Sequence, residues 1–352
     1  MSDKLIKVGI SQGDINGISY ELIIKTFEDV RIFEFCIPVL YGSSKVLAYH
    51  RKAMELPSVN VNTIHQAGEA GINRLNIINC GNEEIAVDFS KSSPESESLA
   101  QRAMQKALSD LKAGLIDVLV LGPSNLEENQ YFPQQQGNTP LKILVYNSFR
   151  MALASDKIPL SDVSPQLATN LLVDKIKALQ ASLIHDFSVT LPRIAVLSFN
   201  PGMGIRERKE GREETEIIIP AIKTANESGV VCFGPYSADG FFASCDYTKF
   251  DAILAIYYDQ GLIPFRSVSS DEGVVYFAGL PFVVTAPDHG VSYDKAGKNE
   301  SSEASFRNAL YLAVDLFQTR KLDKEIYANP LKKQYFEKGS DNEKLDLTKD
   351  EE

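Results

Sequence analysis

The chain has 352 residues, of which 44% are hydrophobic and 24% are charged, so it can bury a large core and is predicted to form a globular protein of two lobes. Its formal net charge of -11 argues against a nucleic-acid or membrane-surface partner, and no apolar run approaches the roughly 20 residues that span a bilayer. The four cysteines lie far apart and no secretory leader pattern opens the chain, which predicts a cytoplasmic protein with reduced thiols.

Strand and helix patterns alternate through the first third of the chain. The stretches LIKVGI (5–10) and FCIPVLYG (35–42) are predicted strands, and each leads into apolar residues at helical spacing. Two shorter strand-like pieces, RLNIINC (74–80) and EIAVDF (84–89), are interpreted as an insert. A capped helix then feeds an apolar strand and the loop GPSN (122–125). This alternation predicts βα winding.

The second half of the chain continues the alternation. The predicted elements, in chain order, are a hairpin at 141–154, a helix near 163–182, a strand in RIAVLSFNPG (193–202), a helix at 213–229, a strand running into a polar turn in FDAILAIYYDQGL (250–262), and a helix at 301–318. The acidic segment 339–352 is predicted to be a disordered tail.

Three loops that follow predicted strands are candidates for a ligand site: GPSN (122–125), NPGMG (200–204) and YDQG (258–261). If the strands are parallel, these loops lie at the same edge of one sheet, where α/β proteins bind ligands. The alternative is that each loop is ordinary turn chemistry. The segment GDING (13–17) opens a helix and could hold an anion, but it lacks the GxGxxG spacing.

The histidines and loop carboxylates of the sequence do not by themselves suggest a metal site. Three of the four histidines are interpreted as solvated or capping residues: His50, His65 and His185. Three loop carboxylates could bind magnesium, but they are more often solvated groups: Asp239, Asp246 and Asp259. The fourth histidine, His289, follows a predicted strand and either touches a cofactor or closes a turn.

Several segments together resemble one family. VGISQGDINGISYELI, LGPSN, RIAVLSFNPG, FDAILAIYYDQGL and AGLPFVVTAPDHGVSYDKAG have an order and spacing similar to those of the 4-hydroxythreonine-4-phosphate dehydrogenase family of vitamin B6 biosynthesis, over roughly residues 5–320. The resemblance implies an α/β fold of two α/β/α lobes related to isocitrate and isopropylmalate dehydrogenases. The lobes are assigned to residues 1–120 with 290–335 and to 121–289. The resemblance also implies NAD, a divalent metal and a homodimer with shared active sites.

The metal positions of the family are replaced here. Its three metal-binding histidines correspond to Lys157, Gly202 and Tyr258. Glycine has no ligand atom in its side chain, a lysine ammonium repels cations, and a phenol is a poor ligand near neutral pH. The sequence therefore predicts that the divalent metal is absent.

The substrate positions of the family are also changed. Its phosphate-binding loop corresponds to Gln135 and Gln136, and its substrate-binding Lys, Asn and Arg correspond to Arg266, Val275 and Val284. Only Arg266 keeps its charge. Loss of the other donors predicts weakened recognition of the family substrate, although a small phosphorylated metabolite remains an expected partner.

Cofactor and catalytic residues follow from the same resemblance. Asp288, His289 and Gly290 lie in a segment that is near the NAD cleft in the family, and they are the candidate cofactor-binding residues. Lys157, in place of the metal, and Asp259 are the candidate catalytic residues. Two functions remain open. The chain either catalyses NAD-dependent oxidation and decarboxylation of the family substrate, or it is a catalytically silent paralogue that acts as a binding or structural dimer.

Overall fold

One large sheet organises the fold. The computed structural model describes residues 5–81, 86–89, 91–127, 131–132, 140–202 and 211–328. Its strands are β1 (Ile6–Ser11), β2 (Cys36–Gly42), β3 (Val61–Ile64), β4 (Leu75–Asn79), β5 (Val118–Leu121), β6 (Leu141–Tyr146), β7 (Phe149–Leu153), β8 (Arg193–Leu197), β9 (Val231–Tyr236), β10 (Ala252–Ala255), β11 (Val274–Ala278) and β12 (Val283–Pro287).

Helices connect most of these strands. They are α1 (Ser19–Glu28), α2 (Ser44–Ala53), α3 (Pro94–Lys112), α4 (Leu160–Gln166), α5 (Thr169–His185), α6 (Ile219–Glu227), α7 (Ala238–Ala243), α8 (Tyr258–Ser269) and α9 (Ala304–Ala328). A π-helical turn, Glu214–Ile218, leads directly into α6. No helix in the described part of the chain is long and apolar enough to cross a membrane.

The local sequence explains several boundaries. Ser93 caps α3 by accepting a hydrogen bond from the Ser96 backbone N–H, and the Ser96 side chain accepts one from the Ser93 backbone N–H, which confirms the predicted capped helix. The expected strand at 84–89 is wrong for its described residues 86–89, which form no strand. The interpretation of this region as an insert is also wrong, because β3 and β4 extend the sheet in parallel with β2.

The sheet is mixed. Its strand order is β3-β4-β2-β1-β5-β12-β11-β6-β7-β10-β8-β9. Strand β11 is antiparallel to β12 and β6, and β6 is antiparallel to β7, so β7, β10, β8 and β9 run opposite to β1 and β5. The expectation that three candidate loops share one edge of a parallel sheet is therefore wrong, because β5 runs opposite to β8 and β10.

Both faces of the sheet are covered, as expected of an α/β fold, because successive strand residues face opposite sides. One face is a continuous core that includes Val120, Leu254 and residues of α1, α5 and α9. The opposite face carries two separate clusters. Residues of α3 cover Leu119 in the first cluster, and residues of α7 and α8 cover Ile253 in the second. The predicted lobe boundaries stay a prediction, and the acidic tail lies outside the described residues.

Candidate active site

A cavity of about 610 Å³ lies on the sheet face between these two clusters. Its floor consists of side chains paired across β12, β11 and β6. Val275 is paired with Ala286 on one side and Leu144 on the other, and Phe277 is paired with Lys142. Val275 contacts both hydrophobic clusters, so it marks the seam between them. The floor is therefore apolar except at the edge that carries Lys142.

Two walls enclose this floor. One is the loop 122–127 that follows β5, and the other is α8, which contributes Tyr258, Leu262 and Arg266. Tyr258 and Arg266 are eight positions apart in the helix, a length of about 12 Å at 1.5 Å per residue. Of the three candidate loops, the cavity thus brings together GPSN and the first residue of YDQG.

The end of the cavity where α8 begins carries Lys157. Lys157 is exposed and has no hydrogen-bonding or ion-pairing partner among the residues that the structure describes. Its neighbour Asp156 instead lies 3.1 Å from Lys142, measured from Oδ1 to Nζ. Burial raises the pKa of Tyr258, so its phenol is protonated near neutral pH. Lys157 is therefore a cation without a counter-ion among the described residues at this end of the cavity.

The segment around Tyr258 differs from its prediction. Strand β10 ends at Ala255, and Tyr258 is the first residue of α8, so the expected polar turn is the first turn of a helix. Gln260 connects the ends of two strands: its side chain accepts a hydrogen bond from Ile256 N (2.7 Å) and donates one to Ser198 O (2.6 Å). Asp259 is exposed and does not line the cavity.

The opposite end of the cavity contains the candidate cofactor-binding segment. Asp288, His289 and Gly290 all line the cavity, and so does Arg266. Arg266 donates from Nε to Asp288 Oδ2 (3.1 Å) and from Nη2 to Asp288 Oδ1 (3.2 Å) and O (2.8 Å). Burial acts to lower the pKa of Arg266, but the hydrogen bonds and charge of Asp288 outweigh it and raise the pKa. The charge of Arg266 is thus already paired.

His289 differs from its neighbours because it lacks partners. Both ring nitrogens are buried, and neither makes a hydrogen bond of standard geometry with a described residue, although backbone groups of His289 and Gly290 lie close enough to act on the ring. Burial lowers the pKa of His289, so the neutral imidazole is favoured, with one donor and one acceptor nitrogen. Buried polar atoms are rarely left unsatisfied, which makes His289 a candidate contact for a polar ligand group.

A hydrogen-bond network that the sequence did not predict supports the wall after β5. Tyr293 donates to Asp14 Oδ2 (2.6 Å) and accepts from Asn125 Nδ2 (2.8 Å), and Asn125 lines the cavity. Burial, reinforced by the bond to Asp14, raises the pKa of Tyr293 to about 12. Asp14 belongs to the GDING segment, which therefore anchors this loop through Tyr293.

The three positions that the resemblance assigns to metal binding are not all brought to the cavity. Lys157 and Tyr258 line the cavity, whereas Gly202 does not. The backbone of Gly202 has φ +77°, a left-handed conformation that a histidine would adopt only with strain. Within the described ranges, no group of three or more His, Cys, Asp or Glu side chains could hold a metal ion, and Asp239, Asp246 and Asp259 form none. Among the described residues, the donor chemistry at these positions therefore does not fit a divalent metal.

The neighbouring Asn200 has a structural role. Glu214 is fully buried and accepts hydrogen bonds from Asn200 N (2.7 Å) and Nδ2 (2.8 Å). These contacts hold the NPG turn against the helical segment that precedes α6. The ordinary turn chemistry considered for this loop accounts for its described residues.

The substrate positions are divided in the same way. Val275 lies in the cavity floor, whereas Val284 is completely buried and does not line the cavity. Gln135 and Gln136 lie outside the described residues. Arg266 is the one candidate substrate-binding residue among those that the structure describes; it lines the cavity, and Asp288 engages it.

One histidine was misplaced by sequence reasoning. His50 is completely buried, and its Nε2 lies 2.8 Å from the Ile15 carbonyl oxygen, so the interpretation as a solvated or capping residue is wrong. Burial lowers its pKa to about 4, against the opposing effect of the hydrogen bond. His50 belongs to the core, where it packs against Tyr20 and Phe89.

Comparisons with known proteins agree on one family. A family model described as pyridoxal phosphate biosynthetic protein PdxA matches residues 34–313. The 4-hydroxythreonine-4-phosphate dehydrogenase of Bacteroides thetaiotaomicron is 45% identical over 99% of this chain and 98% of its own length.

Solved structures give the same result for the fold. The 4-hydroxythreonine-4-phosphate dehydrogenase of Klebsiella pneumoniae superposes with a TM-score of 0.73 at 24% identity, covering 90% of this chain and 99% of its own. The enzyme of that name from Burkholderia phymatum gives 0.69 at 26% identity, covering 89% and 99%.

Proposed function

The chain belongs to the pyridoxal phosphate biosynthetic protein PdxA family, and from this membership we propose that it binds a small anionic metabolite without the family's metal-dependent dehydrogenation. One observation carries the proposal: the three metal positions hold an ammonium, a left-handed glycine and a protonated phenol. None of these groups polarises a substrate hydroxyl as a bound metal does. The chain is then a silent paralogue that keeps the cavity.

NAD fits the cavity better than a metal does. The support is His289, whose two buried ring nitrogens lack partners, next to Gly290, which has no side chain to obstruct a ligand. Asp288, His289 and Gly290 would hold the dinucleotide, which supplies a hydride acceptor when it is bound. Asp288 contributes mainly by fixing Arg266, because both of its carboxylate oxygens already accept from that side chain.

We also propose a homodimer. Its support is the family resemblance. The apolar residues of the β6–β7 hairpin add nothing to it, because they are needed within the chain itself. Ile143, Met151 and Ala152 of this hairpin are completely buried within the chain's own core. The apolar character of the hairpin therefore does not argue for a partner.

A second function is favoured by the 45% identity to a named 4-hydroxythreonine-4-phosphate dehydrogenase over nearly the whole chain. In this alternative the chain oxidises the family substrate, and the Lys157 ammonium takes the electrophilic role of the metal. The position of Lys157 at the cavity is compatible with such a role.

One assay separates the two functions. NADH formation from 4-hydroxythreonine 4-phosphate is followed with the purified protein, with and without magnesium or zinc, and the Bacteroides thetaiotaomicron relative serves as positive control. We expect no rate above background. Turnover in the ordinary range of about 1–1000 per second would support the alternative instead.

A further inference from the structure

The floor of the cavity offers a ligand apolar contact at its centre. Ala286, Val275 and Leu144 form one row across three strands, and Phe277 lies in the next row beside Lys142. Residues paired across neighbouring strands share one face of the sheet, so these side chains present a continuous surface. A hydroxyl or amine placed on that surface would lose its water without gaining a partner, which weakens binding about tenfold or more.

The polar groups stand at the two ends rather than in the middle. Lys157 carries a charge that no described residue neutralises, at the end where α8 begins. The cation at the other end, Arg266, is engaged by Asp288, and the polar groups there that carry no net charge include the His289 ring and the side chains of Ser124 and Asn125. An anionic group is therefore bound most favourably beside Lys157.

We propose that the cavity selects a ligand in which one phosphate or carboxylate is joined to an apolar ring or chain. The anionic group pairs with Lys157, and the apolar body lies on Val275 and beside Tyr258. Such a molecule fits within the approximately 12 Å that α8 spans between Tyr258 and Arg266. This selectivity rests on the proposed function and specifies its ligand, with Val275 as the residue that determines specificity.

The test compares two phosphate monoesters that differ only in their bodies. Binding of phenyl phosphate and of O-phosphoserine to the full chain is measured by isothermal titration calorimetry. We expect phenyl phosphate to bind about tenfold or more tightly, because its ring contacts the floor that leaves the phosphoserine amine and carboxylate unpaired. Tighter binding of benzoate than of O-phosphoserine supports the proposal equally. Tighter binding of benzoate than of phenyl phosphate assigns a carboxylate as the preferred anion.

Variants assign the two halves of the ligand to their residues. Lys157→Gln is expected to weaken phenyl phosphate about fivefold or more, whereas Lys177→Gln, at an exposed position of α5 that does not line the cavity, leaves binding unchanged. Val275→Asn introduces the amide usual in the family and is expected to reduce the preference for phenyl phosphate at least about threefold. Val275→Thr, which is nearly isosteric, provides the same test if the Asn variant does not fold.

Three results would overturn the proposal: O-phosphoserine binding as tightly as phenyl phosphate, no binding of any of the three probes at millimolar concentration, or a preference unchanged in both Val275 variants. None of these results depends on NADH formation. Failure of the ligand proposal is therefore distinguishable from failure of the proposed function, which the turnover assay decides.

Discussion

Arg266 donates hydrogen bonds to Asp288 from two nitrogens, and this bidentate pair connects α8 to the segment that follows β12. The Asp288 side chain is only 8% exposed, whereas that of Arg266 is 49% exposed. The planar guanidinium matches the carboxylate with parallel hydrogen bonds, which a lysine ammonium cannot reproduce. A position that the resemblance assigns to substrate binding thus closes one end of the cavity.

Replacing Arg266 with the lysine usual in the family tests the contribution of the Arg266–Asp288 pair to stability. We expect Arg266→Lys to lower the free energy of unfolding by about 1 kcal/mol, since an ammonium cannot reproduce the three hydrogen bonds to Asp288 while the charge remains partly solvated. Urea denaturation measures the change. Arg307→Lys is the control, because the Arg307 side chain of α9 makes a single hydrogen bond to Glu303, the residue before that helix, and should change stability by less than about 0.5 kcal/mol. Equal effects would contradict a special role for the Arg266 pair.

Purified protein is expected to contain no stoichiometric zinc and to gain no thermal stability from added zinc. The physical reason is the set of donor atoms. The Lys157 ammonium repels a cation and Gly202 has no side chain, so the phenol of Tyr258 would be the only ligand at these positions. Elemental analysis after dialysis measures the metal content. About one zinc per chain surviving dialysis would show that other residues supply the ligands.

Restoring three histidines should recover metal binding but not turnover. In the triple variant Lys157→His, Gly202→His, Tyr258→His, two imidazoles enter the cavity, while the third costs about 1–2 kcal/mol in a left-handed backbone. The apolar floor at Val275 still fails to fix a polar substrate. Zinc affinity and NADH formation are measured.

The matched control is the double variant that keeps Gly202 and so avoids the backbone strain. NADH production by the triple variant alone would show that the substrate-binding losses are smaller than proposed here.

The homodimer is tested by light scattering coupled to size exclusion at micromolar concentration. We expect twice the chain mass of 38.9 kDa. A stable monomer mass across a tenfold dilution series would remove assembly from the proposal without affecting the cavity argument.

His50 predicts a defined loss of stability in acid. Its pKa is about 4 in the folded chain, where burial disfavours the charged ring, and near 6.5 once unfolded. The unfolded state therefore binds the proton first as the pH falls. The stabilisation is complete above pH 6.5 and is lost between pH 6.5 and 4, by about 2 kcal/mol at pH 5.

Urea denaturation at pH 8 and pH 5 measures this loss. The free energy of unfolding of the His50→Gln variant should fall by about 2 kcal/mol less between these two pH values. The exposed His65 and the carboxylates titrate in both proteins. Parallel pH profiles for the two proteins would assign the acid sensitivity elsewhere.

Local patterns predicted most elements, because a strand such as β2 reads as a continuous apolar run and its seven residues are all buried. They did not predict strand direction, which is decided by pairings between distant segments such as β12 with β5. The same limit applies to the site. Lys157 and Tyr258 were identified by resemblance, but the network of Tyr293 with Asp14 joins residues almost the whole chain apart and leaves no local signal.

The position of β12 in the sheet has a consequence for the order of folding. This strand lies between β5 and β11 and is parallel to the first of them, yet its residues, Val283–Pro287, follow every other strand in the described part of the chain. During synthesis the pairing edge of β5 therefore stays open until almost the entire chain has left the ribosome. Such long-range closure is slow, and an unpaired edge favours association between nascent chains. We expect refolding yield to fall steeply with protein concentration, because the last strand must arrive before another molecule occupies its place.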